Sequence, residues 1–399
     1  MDKLLNPFSP GAGTQPPELA GRKEILEQVL LALARIRMGR SEKSVLMIGL
    51  RGVGKTVLLN RIQELATEKN YEAMLIEARE DKPLPTILLP YLRQVLLRLD
   101  RGKAISAKVK RGLSVLKSFM NGVKLTVNEV EIGIDIDPEV GTADSGDLEV
   151  DLSELFIALG EAAQDRNTAI AIIIDELQYL SEHELSSIIM AMHKISQKKL
   201  PIVLIGAGLP QLVANAGQSK SYAERLFDYP EVGPLSILDA KLALQEPIKA
   251  ANVTFTQQAL DEIIKITKGY PYFLQEWGYQ CWNLASNTPI DIDVVHEATR
   301  ESIRKLDQSF FRVRFDRLTP REKVYLRALA ELGDNPQRSG EIAHMLGVKS
   351  ESVAPLRNGL IKKGMIYSPA HGDTAFTVPL FNEFMKRIMP ELPSPSPKK

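Results

Sequence analysis

The stretch SVLMIGLRGVGKT, residues 44–56, decides the fold of this chain. It opens with an apolar run of strand length that ends at Gly49. The triplet Gly54-Lys55-Thr56 then completes the pattern G-x-x-x-x-G-K-[ST], which binds phosphate. The amphipathic run that follows, residues 57–69, predicts a helix. A buried strand, a glycine-rich loop and a helix in this order indicate a phosphate-binding loop rather than a coincidental glycine turn.

The residue types of this loop suit a nucleoside triphosphate with Mg²⁺. Glycines let the backbone turn so that successive N–H groups converge on phosphate oxygens, and the helix N-terminus adds partial positive charge. We expect Lys55 to reach the β- and γ-phosphates and the Thr56 hydroxyl to ligate the metal. The predicted cofactors are therefore ATP or ADP and Mg²⁺. The predicted nucleotide-binding residues of the loop are Gly49, Leu50, Arg51, Gly52, Val53, Gly54, Lys55, Thr56 and Val57.

The amino-acid composition is typical of a globular protein and does not indicate a particular binding partner. The 399 residues are 44% hydrophobic and 25% charged, and 50 Lys and Arg balance 50 Asp and Glu, so overall charge favours neither nucleic acid nor membrane. The single cysteine, Cys281, excludes an internal disulfide framework. The N-terminus has no apolar core of signal-peptide length, and no stretch has the length of a membrane span. We therefore expect a cytoplasmic protein that does not bind membranes.

A second apolar stretch, AIAIIIDELQYL at residues 169–180, predicts a central parallel strand buried on both faces. It ends in Asp175-Glu176, and ligands of open α/β folds bind at the carboxyl ends of strands. We expect Asp175 to hold Mg²⁺ and Glu176 to orient and polarise the attacking water. The alternative is a solvated loop that happens to carry two acids.

Strands that alternate with helices predict an α/β fold with a doubly wound parallel sheet, here of the P-loop type. The predicted domains are an N-terminal arm with a helix (1–43), the ATPase core (44–235), a helical lid (236–310), a winged helix (311–392) and a disordered tail (393–399). An insertion at about 101–147 would contain helix and a β-hairpin at 123–137. Within the core we expect Asp151 to cap a helix and residues 219–228 to form a helix that carries Arg225.

The C-terminal elements predict a winged helix: a helix, a helix–turn–helix and a two-stranded wing. Its presumed recognition helix suggests double-stranded DNA as a partner, although Glu351 and Pro355 oppose this and the basic excess is mild. Winged helices also bind proteins, so that alternative stays open. Basic residues at 101–124 could touch DNA or form a solvated helix face, and the acidic hairpin after them suits a protein contact or self-assembly. The candidate DNA contacts are Lys349, Ser350, Ser352, Arg357, Asn358, Lys362, Lys363 and His371.

These motifs together resemble the AAA+ superfamily of ATPases, and within it the origin-recognition-complex-like initiator ATPases. The resemblance covers the GLRGVGKT loop, the IIIDE strand, the helical lid and the terminal winged helix. It implies adenine contacts from Leu19, Gly21 and Arg22, and it implies the roles of the loop and of Asp175-Glu176 given above. It also implies that Arg225 reaches a neighbouring subunit's nucleotide as an arginine finger; a surface ion pair with Glu224 or Asp228 is the alternative.

The chain departs from the initiator pattern at two places. The fourth core strand ends in IGAGLP, which lacks the usual polar residue, and the lid reads KGYPYFLQ where an arginine is expected. The Gly-x-Pro turn of that lid resembles the STAND class of signalling ATPases and implies that Pro271 lies at the nucleotide. Both departures favour slow hydrolysis. The sequence thus predicts a slow AAA+ ATPase that controls a DNA-binding winged helix, with a STAND-like switch that binds protein as the alternative.

Overall fold

The computed structural model describes residues 1–11, 13–100, 106–123, 136–370 and 372–392. The chain divides into two compact units. One contains Arg22–Gly49 and Lys55–Val232, and we call it the sheet unit. The other contains Met1–Gly21, Leu50–Gly54 and Gly233–Lys399, and we call it the helical unit.

A five-stranded parallel sheet forms the centre of the sheet unit. The strand order is β2-β3-β4-β1-β5, and every neighbouring pair is parallel. Strands β1, β3 and β4 are buried along their whole length, as expected where helices cover both faces. The prediction of a doubly wound P-loop sheet is confirmed. The strands are β1 (Ser44–Ile48), β2 (Tyr71–Glu77), β3 (Ala169–Asp175), β4 (Ile202–Gly208) and β5 (Phe227–Asp228).

The helices of the sheet unit bury one apolar face each, because their apolar residues recur at helical spacing. In α5, for example, Leu152, Leu155, Phe156 and Leu159 are all buried. Fully burying a side chain of this size stabilises the fold by about 1.5–3 kcal/mol. The helices are α1 (Lys23–Arg37), α2 (Lys55–Glu68), α3 (Leu84–Leu99), α4 (Ala107–Gly122), α5 (Leu148–Asp165), α6 (Glu182–Lys198), α7 (Gln211–Ser219) and α8 (Ala223–Leu226).

The predicted cap of α5 is wrong by one turn. Asp147 is the N-cap, and its side chain accepts a hydrogen bond from the N–H of Glu149. Asp151 lies inside the first turn, fully buried, and accepts from the N–H and the hydroxyl of Ser145 at 3.0 and 2.7 Å and from the N–H of Gly146 at 2.9 Å. Asp151 therefore ties the preceding loop to the helix instead of capping it.

The predicted helix at 219–228 is also largely wrong. Apart from Ser219, the last residue of α7, only the short α8 is helical there. The two residues after α8 form β5, which pairs with the start of β1. The apolar Phe227 is buried in this strand. Pairing with β1 thus outweighs the helical preference of a segment that is too short to form a stable helix by itself.

The helical unit begins with four helices, as the all-helical pattern after residue 236 predicts. The N-terminal arm packs on one of them: Asn6 donates a hydrogen bond to the carbonyl of Tyr279, and Phe8 is buried. A Cβ on Gly278 would lie 2.6 Å from the Phe8 ring, so this helix needs glycine where the arm crosses it. The helices are α9 (Ile237–Lys249), α10 (Gln257–Thr267), α11 (Pro271–Leu284) and α12 (Ile292–Gln308).

The next part of the helical unit, residues 310–392, is called the C-terminal module. Thr319 caps its first long helix by accepting from the N–H of Glu322, and the Glu322 carboxylate accepts from the N–H of Thr319 in return. Three short strands form a sheet in the order β6-β8-β7. The elements are α13 (Phe310–Asp316), α14 (Pro320–Leu332), β6 (Gln337–Arg338), α15 (Ser339–Met345), α16 (Ser350–Lys362), β7 (Ile366–Tyr367), β8 (Asp373–Phe376) and α17 (Phe381–Ile388).

Three predicted features fall outside the described residues. They are the hairpin at 123–137 except for its first residue and its last two, part of the basic segment at 101–124, and the tail at 393–399. Among the helices that the structure does describe, none is both long and apolar enough to cross a membrane.

Replacing Asp151 by alanine tests its role inside α5. Asp151→Ala should lower the free energy of unfolding by about 2–3 kcal/mol, because the buried donors of Ser145 and Gly146 lose their acceptor. Asp147→Ala, which removes only a cap, should cost about 1 kcal/mol. Urea denaturation of both variants measures the difference, and equal losses would contradict the role that we assign to the buried Asp151 carboxylate.

Candidate functional site

The phosphate-binding loop starts at the end of β1. The N–H of Gly49 donates to the carbonyl of Gly208 at 3.1 Å, which ties the first loop residue to the neighbouring strand β4. Gly52 and Gly54 have φ angles of +81° and +93°, which favour glycine at both positions. Lys55 begins α2, is buried, and donates from Nζ to the carbonyl of Gly49 at 2.9 Å. The ammonium group is therefore held on the loop itself.

Thr56 and Asp175 meet although 119 positions separate them in sequence. The Thr56 hydroxyl donates to Asp175 Oδ2 at 2.6 Å. Asp175 is 6% exposed, and this burial raises the pKa of its carboxyl above the ordinary value, while the hydrogen bond from Thr56 acts in the opposite direction. The structure thus brings together the two residues that the sequence predicts as metal ligands.

This pair fits Mg²⁺. A hydroxyl and a carboxylate are hard oxygen ligands, and a divalent cation would offset the cost of a buried carboxylate. Among the residues that the structure describes, no group of three or more His, Cys, Asp and Glu side chains could hold a metal. Mg²⁺ typically takes one or two protein ligands and completes its shell with water and phosphate oxygens, so two ligands suffice.

Glu176 follows β3 in a left-handed backbone conformation, with φ 55° and ψ 38°. Such a conformation is uncommon for a residue other than glycine and clusters at functional sites. Its N–H donates to Asp175 Oδ1 at 2.8 Å, and its carboxylate accepts from the side-chain amide of Gln178. Sequence reasoning missed Gln178, because nothing marks a glutamine two residues after the acidic pair.

Within the helical unit, the loop segment Leu50–Gly54 contacts two elements. The N–H of Tyr272, next to Pro271 at the start of α11, donates to the carbonyl of Gly52 at 3.2 Å. The N–H of Arg51 donates to the carbonyl of Thr377 in the C-terminal module at 3.3 Å. A Cβ on Gly364 would lie 2.6 Å from the guanidinium of Arg51, so the module presents a glycine where the arginine approaches.

The side chains of this segment and of the helix start differ in exposure. Val53 is buried, whereas Leu50 and Val57 are half-buried. The structure therefore anchors the middle of the loop on an apolar side chain and leaves its glycines, Gly52 above all, more accessible.

The predicted adenine residues precede α1. Leu19 is half-buried, and Arg22 is buried directly before the helix. Gly21 has φ +67°, and a Cβ there would lie 2.8 Å from Oδ2 of Asp239, which belongs to the same helical unit. Gly21 is thus needed for a turn and for a close approach, a signal that the sequence alone does not give.

Arg225 is exposed in α8 and lies at the amino edge of the sheet, because β5 starts opposite the start of β1. Lys55 and Asp175 lie at the carboxyl edge, so Arg225 cannot reach them within the sheet unit. It borders a cavity of about 200 Å³ together with Arg40 and Lys199. Of its two predicted ion-pair partners, Asp228 instead pairs with Lys43 at 3.2 Å.

Two of the candidate DNA contacts are engaged inside the C-terminal module. Arg357 donates to the hydroxyls of Thr374 and Ser368 at 3.0 and 2.7 Å and to the carbonyl of Asp373, which fastens α16 to the wing strands. Lys363 donates to Glu322 at 2.7 Å. The other described candidates are exposed, and His371 lies outside the described residues. The exposed ones are Lys349, Ser350, Ser352, Asn358 and Lys362.

Comparisons with known proteins agree with this geometry. Residues 18–205 match a family described as AAA ATPase domain, which supports ATPase activity, and residues 308–385 match a domain of unknown function (DUF8462). No curated protein matches the chain.

One solved structure of low sequence identity shares the fold, and others are similar to a lesser degree. A Walker-type ATPase of Pyrococcus abyssi, paby2304, is 17% identical with a TM-score of 0.59 and covers 94% of this chain and 97% of its own. Orc1 of Aeropyrum pernix in complex with DNA is 15% identical with a TM-score of 0.47, and 94% of each chain is covered. The RuvB Holliday junction branch migration motor of Thermotoga maritima is 15% identical with a TM-score of 0.45, over 96% of this chain and 100% of its own.

The family match, the five-stranded parallel sheet and the meeting of Thr56 with Asp175 lead to one conclusion. Residues 18–205 carry a P-loop ATPase domain of the AAA+ superfamily.

Proposed function

We propose that this protein binds ATP with Mg²⁺, hydrolyses it slowly, and uses its nucleotide state to control the C-terminal module as a winged helix on double-stranded DNA. The observation that carries the nucleotide part is the hydrogen bond between Thr56 and Asp175. It joins the hydroxyl of the phosphate-binding loop to the buried acid of β3, and P-loop NTPases need both for a nucleotide-bound metal.

Each residue of the site has a distinct role in this proposal. Lys55 binds the β- and γ-phosphates, and Thr56 and Asp175 hold the metal. When bound, Mg²⁺ supplies positive charge to the phosphate oxygens. Glu176 orients a water for in-line attack on the γ-phosphate and accepts its proton. The left-handed backbone of Glu176 sets the direction of its carboxylate from the end of β3.

Slow hydrolysis follows from what the site lacks. The described carboxyl end of β4 carries glycine and leucine in place of a hydroxyl or amide side chain, and α11 begins with Pro271 and Tyr272 in place of an arginine. Fewer groups therefore stabilise the charge that spreads over the phosphoryl oxygens. An arginine from a neighbouring copy, Arg225, would supply one such group in a head-to-tail assembly, and its exposure at the amino edge suits a role in trans.

DNA binding is proposed from the exposed side of α16. Lys349 and Lys362 are exposed there with the polar Ser350 and Asn358, and lysines of this kind neutralise DNA phosphates. Glu351 is exposed on the same helix and opposes the interaction.

A STAND-like signalling switch remains the second candidate. It is favoured by the contact of the Gly-x-Pro turn with the loop, where the N–H of Tyr272 meets the carbonyl of Gly52. The engagement of Arg357 inside the module also favours it, since the recognition helix loses its only arginine. In this alternative the module binds a protein.

Lys55→Ala tests nucleotide binding. The affinity for fluorescent ADP or ATP should fall about 100-fold, because the variant loses a buried, charge-assisted phosphate contact. Lys69→Ala, which removes an exposed lysine after the same helix, serves as the matched control and should bind normally. Equal affinity of the two variants would contradict the assigned loop.

Glu176→Gln tests the catalytic base. The variant should bind ATP within about threefold of the wild-type affinity and lose at least about 100-fold in turnover, since an amide cannot accept the proton. Steady-state phosphate release measures the turnover. Glu182→Gln, at an exposed position in α6, controls for loss of a nearby carboxylate. Unchanged turnover in Glu176→Gln would remove this residue from the mechanism.

The DNA part is tested by fluorescence anisotropy with a labelled duplex of random sequence. We expect binding that depends on nucleotide and weakens with salt, because neutralised phosphates release counterions. Lys362→Ala should lower the salt slope by about one, whereas Lys386→Ala, exposed in α17, should leave it unchanged. Absence of binding in every nucleotide state would move the protein-binding switch to first place.

A further inference from the structure

The turn after β3 contains a glutamine, Gln178, whose side chain contacts the chain at the carboxyl ends of both β3 and β4. Residues Leu177–Tyr179 form a 3-10 turn directly after Glu176. The Gln178 side chain donates from Nε2 to Glu176 Oε2 and accepts at Oε1 from the N–H of Leu209 at 3.0 Å. Leu209 is the first residue after β4. Gln178 thus connects the acidic pair of β3 to the end of the neighbouring strand.

The orientation of the Gln178 amide is fixed by its two partners. The backbone N–H of Leu209 can only donate, so it must face the amide oxygen. The ionised carboxylate of Glu176 can only accept, so it must face the amide NH₂. A flipped amide would place two donors together at one end and two acceptors at the other. The donor to Glu176 is therefore unambiguous.

The glycines of β4 make room for this turn. A Cβ on Gly208 would lie 3.1 Å from Gln178 Oε1 and 2.9 Å from Leu212. A Cβ on Gly206 would lie 2.3 Å from Leu177. The turn that carries Gln178 thus packs against the carboxyl end of β4, which has no polar side chain of its own.

We propose that Gln178 is a positioning residue for ATP hydrolysis, which orients Glu176 from the turn that packs against the end of β4. This inference rests on the proposed function. Because Glu176 Oε2 is engaged by Gln178, Oε1 is left for the water. In the reaction the water oxygen forms a bond to the γ-phosphorus, the bond from that phosphorus to the β,γ-bridging oxygen breaks, and the water proton passes to Glu176.

Gln178→Leu and Gln178→Met separate this role from simple packing. Both keep most of the bulk of the side chain, and neither can donate a hydrogen bond to Glu176. Under single-turnover conditions the hydrolysis rate should fall about tenfold in each, because a misdirected base loses alignment with the water. The affinity for ADP should stay within about twofold of wild type. Gln197→Leu, at an exposed position in α6, is the matched control and should hydrolyse ATP at the wild-type rate.

A double-mutant cycle with Glu176→Gln shows whether Gln178 acts through the base. If it does, adding Gln178→Leu to Glu176→Gln lowers the rate no further, because residues that act as a unit are not additive. Independent, multiplying effects would overturn the inference, as would wild-type rates in both Gln178 variants. Wild-type protein that hydrolyses no ATP, or a Glu176→Gln variant with full turnover, would instead overturn the proposed function.

Discussion

The meeting of Thr56 with Asp175 is the constraint on which the rest of the site depends. Thr56 follows β1 and Asp175 ends β3, and β4 lies between these two strands. To bring Thr56 to Asp175, the chain after β1 must therefore cross two strand spacings, about 10 Å in total. The start of α2 therefore has to lie beyond the end of β4. The register pairs Ile48 with Gly208, and the N–H of Gly49 continues the ladder onto Gly208. A strand that ends in small residues at this point leaves room for the crossing.

The same arrangement buries two charged side chains, Lys55 and Asp175. Lys55 is 7% exposed and Asp175 is 6% exposed, so neither is hydrated by bulk water in the usual way. The ammonium compensates by donating to the carbonyl of Gly49, and the carboxylate by accepting from Thr56 and from the N–H of Glu176. Despite these bonds, burial still raises the pKa of the Asp175 carboxyl. A phosphate opposite the ammonium and a cation opposite the carboxylate are the complementary ligands, which is why the site suits a nucleotide with its metal.

The fold and the loop that carries the proposed nucleotide site were predictable from sequence because their signals are local. Strands β1 and β3 are unbroken apolar runs, and the loop pattern lies directly after one of them. The features that the sequence did not predict correctly depend on contacts with residues distant in sequence, or on which of two similar neighbouring residues takes a role. Asp147 and Asp151 are equally good caps by residue type, and only the fold of the preceding loop decides between them. Gln178 gains its role from Leu209, which β4 brings beside it 31 positions later.

The interior of the C-terminal module limits what its proposed DNA contact can be. Arginine is the side chain best suited to reading guanine through two hydrogen bonds, and Arg357 is the only arginine of α16. Its guanidinium already holds Thr374, Ser368 and the carbonyl of Asp373, so reading a base would require releasing the wing strands from the helix. Lysines, which bind phosphate as point charges, remain exposed at this helix. The proposed contact is therefore to the DNA backbone, and any preference for a particular sequence must come from the shape of the duplex or from another element.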